Sequence, residues 1–345
     1  MQSQRALWMR GNFGMMSHWL YHPVDTHRKP GGNVEIPLET AVKEWNHRVN
    51  GFDVERLADQ LEQAGAKWFI LTIGQNSGFY CAPNPVYDQI VGYPLSKCSQ
   101  RDLFRDLAVA LKKKGIRTLA YLPSGAPEGD FQACLHFKWQ NGYCYDANGV
   151  RMVTPDGVRV RRPNHRLAEF QQMWEQVVRY WAQQWGELCA GWWIDGVYFA
   201  DQMYQFTQAP NFHSFAAALR AGNPECAICF NGGIQRSDTV DPLSEEEDYT
   251  AGEMNSYLYT PFGHHRIRED MLQGRAGQAQ LHLLNFLGKN WGQGDAPRFP
   301  EPLATAWTDY ILHGGGAVTW DVPTSEKGEI PQPFIQLLQK IGKKG

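Results

Sequence analysis

The chain has 345 residues, 43% of them hydrophobic and 20% charged, with a formal net charge of −3. That length suits one large domain or two ordinary ones. A near-neutral balance with no long basic run argues against nucleic acid and anionic membranes as partners, and no run of about 18 apolar residues is present to form a transmembrane helix.

The opening Met1-Gln2-Ser3-Gln4-Arg5-Ala6-Leu7 lacks an apolar core of signal-peptide length. The expected compartment is the cytoplasm, or the periplasm or exterior if a leader has been removed. Cys81, Cys98, Cys134, Cys144, Cys189, Cys226 and Cys229 are scattered and odd in number, so no disulfide framework is expected. Cys226 and Cys229 form a lone CxxC, and Cys229 lies in an apolar run that favours plain burial over metal binding.

Eight short apolar runs recur along the chain. The first is Asn12–Trp19, followed by a loop rich in His, Pro and Gly from Tyr21 to about Asn50. A helix is expected over Phe52–Gly65, with Leu57, Leu61 and Ala64 on one face. The second strand is Lys67–Gly74. A helix over Arg101–Lys114 carries Leu103, Leu107 and Leu111 and stops at Gly115. The third strand is Arg117–Leu122, and Pro123–Pro163 reads as a long polar insertion. Arg166–Trp185 is the clearest helix, its Trp174, Trp181 and Trp185 in helical step with Phe170, Val177 and Val178. That stripe is expected to be core.

The fourth run, Gly191–Phe199, is strand-like but interrupted by Asp195. A lone charge in such a run is costly unless it is paired or placed at an opening. Gly196 after it permits a turn. The fifth strand is Ala227–Asn231, after a helix near His213–Ala221. The sixth is Asp248–Glu253 and the seventh Gln280–Leu287. A helix over Pro302–His313, an eighth strand Ala317–Asp321 and a helix over Pro331–Ile341 follow. Eightfold strand–helix alternation predicts an α/β fold, a single (β/α)8 TIM-like barrel domain over residues 1–345. The runner-up, a doubly wound open sheet, lacks a G-x-G-x-x-G after its first strand.

Reactive groups in such a barrel project from the C-terminal strand ends. Those ends offer His18 and Trp19; Gln75 and Asn76; Tyr121 and Ser124; Asp195; Asn231; Asp248 and Glu253; Asn285 and Trp291; Trp320 and Asp321. The set has no compact metal-ligand spacing and no nucleophile elbow. His264-His265 has no third ligand nearby and reads as a loop feature, so neither metal nor cofactor is expected. Two carboxylates among amides and indoles suit glycoside hydrolysis: one acid attacks the anomeric carbon and a protonated one serves the leaving oxygen.

The same residues resemble the α-L-fucosidase clan of glycoside hydrolases, a retaining family acting on terminal L-fucose. Phe13 to Tyr21 is similar to the family's opening "FGIFIHWGLY". Trp193-Ile194-Asp195-Gly196 is similar to the "WFDG" carrying its nucleophile. Phe230-Asn231-Gly232 is similar to "NGR", and Asp248 to Glu253 to "DYxTPE". Thr319 to Pro331 is similar to its closing segment. The resemblance implies Asp195 as nucleophile, Glu253 as acid/base, and His18, Trp19 and Tyr21 near the sugar. Glu247, Asp248 and Asp321 are the other candidates for the acid; otherwise Glu245–Asp248 is a solvated acidic loop. The family's "KHHDGF" is replaced by Gly74-Gln75-Asn76-Ser77-Gly78-Phe79, so amides stand where imidazoles would bind fucose. Gln75, Asn76, Tyr121, Asn231, Trp291, Trp320 and Asp321 complete the expected sugar contacts, and the family's C-terminal β-sandwich is expected to be missing. The leading expectation is a retaining exo-glycosidase for a terminal α-L-fucose or related sugar. A glycosidase for a different, substituted or sulfated sugar, an inverting enzyme, and a non-catalytic carbohydrate-binding barrel are the competing readings.

Overall fold

The computed structural model describes residues 4–23, 36–139, 152–157, 160, 166–233, 240–255, 257–258 and 279–342. A 3-10 turn at Leu7–Met9 precedes β1 (Phe13–Ser17). Helices α1 (Leu38–Asn50) and α2 (Val54–Ala64) lead to β2 (Trp68–Thr72), and α3 (Pro85–Val91) and α4 (Leu103–Lys113) to β3 (Arg117–Pro123). Then come α5 (Phe131–His136), α6 (Ala168–Trp185), β4 (Cys189–Asp195), α7 (Ala200–Met203), α8 (Phe212–Leu219) and β5 (Ala227–Phe230). β6 (His282–Phe286), α9 (Glu301–His313), β7 (Ala317–Asp321) and α10 (Gln332–Gly342) follow. Helices begin where a side chain can take up a free amide. Asp53, Asn84, Asp102 and Asp130 each accept the backbone N–H three residues on.

The strands form one curled seven-stranded sheet in the order β5-β4-β3-β2-β1-β7-β6, parallel at every pairing. Side chains alternate across it, save for an irregularity where β3 meets the start of β4. Met16, Ile70, Tyr121, Trp193, Cys229 and Leu284 meet on the inner face. Met15, Phe69, Leu71, Trp192, Ile194, Phe230 and Trp320 face the helices. The turn at Leu7–Met9 closes the floor of the inner face, where Trp8 meets Trp68 edge-on at 5.7 Å.

The expected sixth strand is not a ladder. Residues 248–254 run between β5 and β6 and bond to both: Asp248 N–H donates to Ile228 O at 2.8 Å, and Leu284 N–H to Gly252 O at 2.9 Å. The pairing is confined to bridges at Tyr249 and Glu253. Gly252 explains the break: its φ is +61°, and a Cβ there would lie 1.9 Å from His282 O. The chain swings left-handed at that point, which a continuous strand does not.

Two loop expectations are corrected. The segment read as loop up to Asn50 contains α1, whose Ala41, Trp45 and Val49 are buried. The insertion after Pro123 contains α5, and much of the remainder lies outside the described residues, as do Cys144 and His264-His265. The indoles of α6 are core, as expected. Each N–H finds a partner: Trp174 on Pro123 O, Trp181 on Pro83 O and Trp185 on Asp102. Each such ring buries roughly 150–250 Å², about 4–6 kcal/mol of transfer free energy before entropy is charged.

Candidate active site

At the C-terminal ends of the strands a cavity of about 520 Å³ opens, bordered among others by His18, Gln75, Tyr121, Asp195, Glu253 and Trp291. Its size lies within the ordinary range of ligand pockets. Asp195 is the last residue of β4, opposite Pro123 of β3. Three donors meet its carboxylate. Tyr121 hydroxyl reaches Oδ2 at 2.5 Å, Gly196 N–H reaches Oδ1 at 2.7 Å, and Asn231 Nδ2 reaches Oδ1 at 2.9 Å. Burial and the adjacent Asp195 push the Tyr121 phenol well up, so it stays protonated and donates. Gln75 Nε2 in turn donates to the Tyr121 oxygen at 2.6 Å.

Glu253 enters from the segment between β5 and β6. Its Oε2 accepts a second hydrogen bond from the same Asn231 Nδ2, at 2.6 Å. Burial first, and the charge of Asp195 next, push its carboxyl up to about 7, against the opposing pull of Asn231 and His18. A carboxyl in that range can both give and take a proton near neutrality. The bonds to Asp195 and Glu253 share one nitrogen. The nearer oxygens of the two carboxyls are therefore no further apart than these bonds laid end to end.

His18, one residue beyond β1, donates from Nδ1 to Asp321 Oδ1 at 2.9 Å. Burial alone lowers the imidazole, but Asp321, Asp195 and Glu253 together outweigh it and hold the ring above its ordinary value. Trp291 leans on His18 with ring centroids 5.3 Å apart.

Several expected contacts are corrected. Trp320 faces the helices: it is completely buried, its N–H reaches Thr308 Oγ1 at 3.2 Å, and it packs on Trp307. Asp321 is equally buried and does not line this cavity; it holds His18 and the Gly292 N–H. Tyr21 turns away to Glu44, at 2.8 Å, and stacks on Trp45. Asn76 is exposed outside the cavity. Trp19 touches the rim, but its N–H is spent on Ser325 O and its ring packs on Phe52. Asn231 is 1% exposed and meets the two acids rather than the open space. Glu247 accepts from Phe230 N–H at 2.9 Å, and Asp248 from Arg220 at 2.8 Å. Both are buried and lie outside the cavity lining, whereas Glu245 of the same run is exposed.

Among the cavity residues that escaped the sequence reading are His22, Arg48, Trp193, Tyr198 and Gln293. Trp193 stands two residues before Asp195 and so shares its face of β4, a signal that was available. Its ring stacks on Tyr121 at 5.4 Å. Arg48 reaches in from α1 with its guanidinium 5.0 Å from the Trp19 ring. Nothing in its local sequence marks it. Among the described residues no cluster of three or more His, Cys, Asp or Glu side chains is arranged to hold a metal ion.

An endo-fucoidan hydrolase from glycoside hydrolase family 107 superposes with a TM-score of 0.66 at 18% identity, over 99% of this chain and 53% of its own. The α-L-fucosidase isoenzyme 1 from Paenibacillus thiaminolyticus gives 0.58 at 18% identity, over 99% and 75%. An α-L-fucosidase from Lactobacillus casei in complex with α-L-fucose gives 0.58 at 14%, over 99% and 98%. The chain has the fold of these enzymes. It spans about half the length of two of the family 107 hydrolases and 93% of a third. The fucosidase fold thus extends over nearly all of this chain, at identities too low to carry residue roles across. No family model matches the chain, and no curated protein matches it.

Proposed function

We propose that the protein is a retaining glycoside hydrolase acting on a fucose-containing glycoside, with Asp195 as nucleophile and Glu253 as acid/base. We further read residues 248–254 as the sixth position of a closed (β/α)8 barrel, since Tyr249 and Ala251 join the inner-face cluster in register with their neighbours. In the first step Asp195 attacks the anomeric carbon while protonated Glu253 gives its proton to the departing oxygen. In the second, Glu253 takes a proton from water, which displaces Asp195 from the sugar. Tyr121 and Gly196 hold Asp195 at the strand end; His18 and Gln75 offer polar contacts for hydroxyls.

The observation that carries this reading is the Asn231 nitrogen bonded to both acids. It supports a pair at retaining distance, and it argues against a purely binding barrel, which has no need of two converging carboxylates. The experiment is turnover of an aryl glycoside panel, with NMR of the first sugar anomer released. Retention of configuration on a fucoside supports the reading. Inversion, or binding without turnover, overturns it.

A second reading, cleavage within a fucoidan rather than at a terminus, is favoured by one comparison. The endo-fucoidan hydrolases superpose with TM-scores of 0.64–0.67, against 0.58–0.60 for the fucosidases. Oligosaccharide products would favour it; free monosaccharide would favour the terminal cut.

A further inference from the structure

Asn231 has no side-chain hydrogen left for a sugar. Its Oδ1 accepts the Gly233 N–H at 3.0 Å. A backbone amide nitrogen only donates, so this contact decides which end of the side chain is oxygen. The nitrogen end therefore faces the acids, at 2.9 Å from Asp195 Oδ1 and 2.6 Å from Glu253 Oε2. Its two hydrogens are both committed. The backbone is pinned as well: Asn231 N–H donates to Ile194 O at 2.7 Å and Val197 N–H donates to Asn231 O at 2.8 Å. The amide is thus clamped to β4 and to the turn that follows Asp195.

We propose that Asn231 is a positioning residue: it fixes the spacing of the two carboxylates and gives one hydrogen to each, leaving Glu253 Oε1 for the substrate. Its functional meaning rests on the hydrolase reading above; its geometry does not. The chemistry selects an amide. A lysine or arginine between the acids would pair with both and keep Glu253 ionised. A carboxylate there would crowd a third acid into the site. An amide donates twice without charge. Other charged or titratable groups face Glu253 too: Asp195 from β4, Tyr121 from β3, and His18 beyond β1 with Asp321 behind it. Of these, His18, like Asn231, favours the ionised carboxylate, and Asp195 opposes it.

The test titrates isotope-labelled glutamate carboxyls by NMR in the substrate-free, full-length protein, with Glu253→Gln identifying the signal. Asn231→Leu, close in shape, and Asn231→Ala both remove the donor. The expected result is an upward move of the Glu253 midpoint by about one pH unit, the effect of one lost hydrogen bond to a charged group. The alkaline limb of kcat/KM should move the same way, with kcat falling more than KM changes. A Glu253 midpoint that stays put in a variant with native circular dichroism overturns the proposal. Should both variants fail to fold, Asn231→Ser, which can still donate once, carries the same readout with a smaller expected shift. If the midpoint moves but the wild type turns over no glycoside, the hydrolase reading fails and the amide bridge stands.

Discussion

Two buried polar clusters share the inner face of this sheet, a short distance apart along the strands, and they are built to opposite ends. Near the floor, Trp68 N–H donates to Thr319 Oγ1 at 2.8 Å, and Thr319 lies 2.7 Å from His282 Nε2. His282 Nδ1 lies 2.9 Å from Thr250 O. A carbonyl only accepts, so Nδ1 carries the hydrogen, Nε2 accepts, and the Thr319 hydroxyl points at it. Every direction is determined and no charge is present; burial pulls His282 down to about 4. Two residues further along β7, Asp321 belongs to the other cluster, with His18, Asp195 and Glu253, where charges press on one another beside a cavity. The floor has no proton to move. The rim holds one that burial and Asp195 keep near neutrality.

The largest predicted effect breaks the rim alone. Asp195→Asn keeps the shape and two of the three donor contacts, and should cut turnover about 10⁴-fold or more, with thermal unfolding nearly unchanged. Near wild-type rates would remove Asp195 from the mechanism. Next is Glu253→Ala. Loss of the acid should cost about 10²–10⁴-fold on glycosides with poor leaving groups and much less where the leaving group needs no proton. Equal loss across all leaving groups would count against its acid role.

A smaller effect sets the two clusters against each other. His282 sits at about 4 when folded and near 6.5 when unfolded, so in between only the unfolded chain takes the proton. Its contribution is present above about 6.5 and is lost as pH falls towards 4, roughly 3 kcal/mol in all. Glu253 runs the other way. Raised to about 7, it is protonated in the folded chain while the unfolded one has already ionised. Its contribution is present below about 4.5 and is lost as pH rises through 7, by a similar amount. Urea unfolding from pH 4.5 to 7.5 separates them. Relative to wild type, His282→Gln should tilt stability downward with rising pH, and Glu253→Gln should tilt it upward. Parallel curves for all three proteins would end the contrast.

How much of this was legible in the sequence depended on period. The helices of α2, α4, α6 and α10 announced themselves through apolar spacing. α1 carried the same signal in Ala41, Trp45 and Val49, but a His-, Pro- and Gly-rich surround hid it. Asp195 stood out because a carboxylate closing an apolar run is costly without a purpose; Glu253 came from its place after the sixth run and from the family resemblance. The errors came from listing neighbours together. Trp320 with Asp321 are adjacent on β7, and a strand sends adjacent side chains to opposite faces. Alternation, applied strictly, would have kept Asp321 inside, discarded Trp320 and added Trp193. The Gly252 break and the reach of Arg48 from α1 depend on tertiary contacts that no local pattern encodes.

That alternation rule makes the mildest prediction and tests it on two tryptophans. Trp320→Phe removes the bond to Thr308 and leaves a small void among α9 and Phe299. It should lower stability by about 1–3 kcal/mol while kcat/KM stays within about twofold of wild type. Trp193→Phe makes the same chemical change on the other face of the sheet. There the ring stacks on Tyr121, which holds Asp195, so misplacing it by a fraction of an ångström reaches the reacting atoms. A loss of about tenfold in kcat/KM is expected, the kind that small misplacement produces. If Trp320→Phe instead disturbed KM more than Trp193→Phe, the assignment of faces would be wrong, and with it the boundary between core and site.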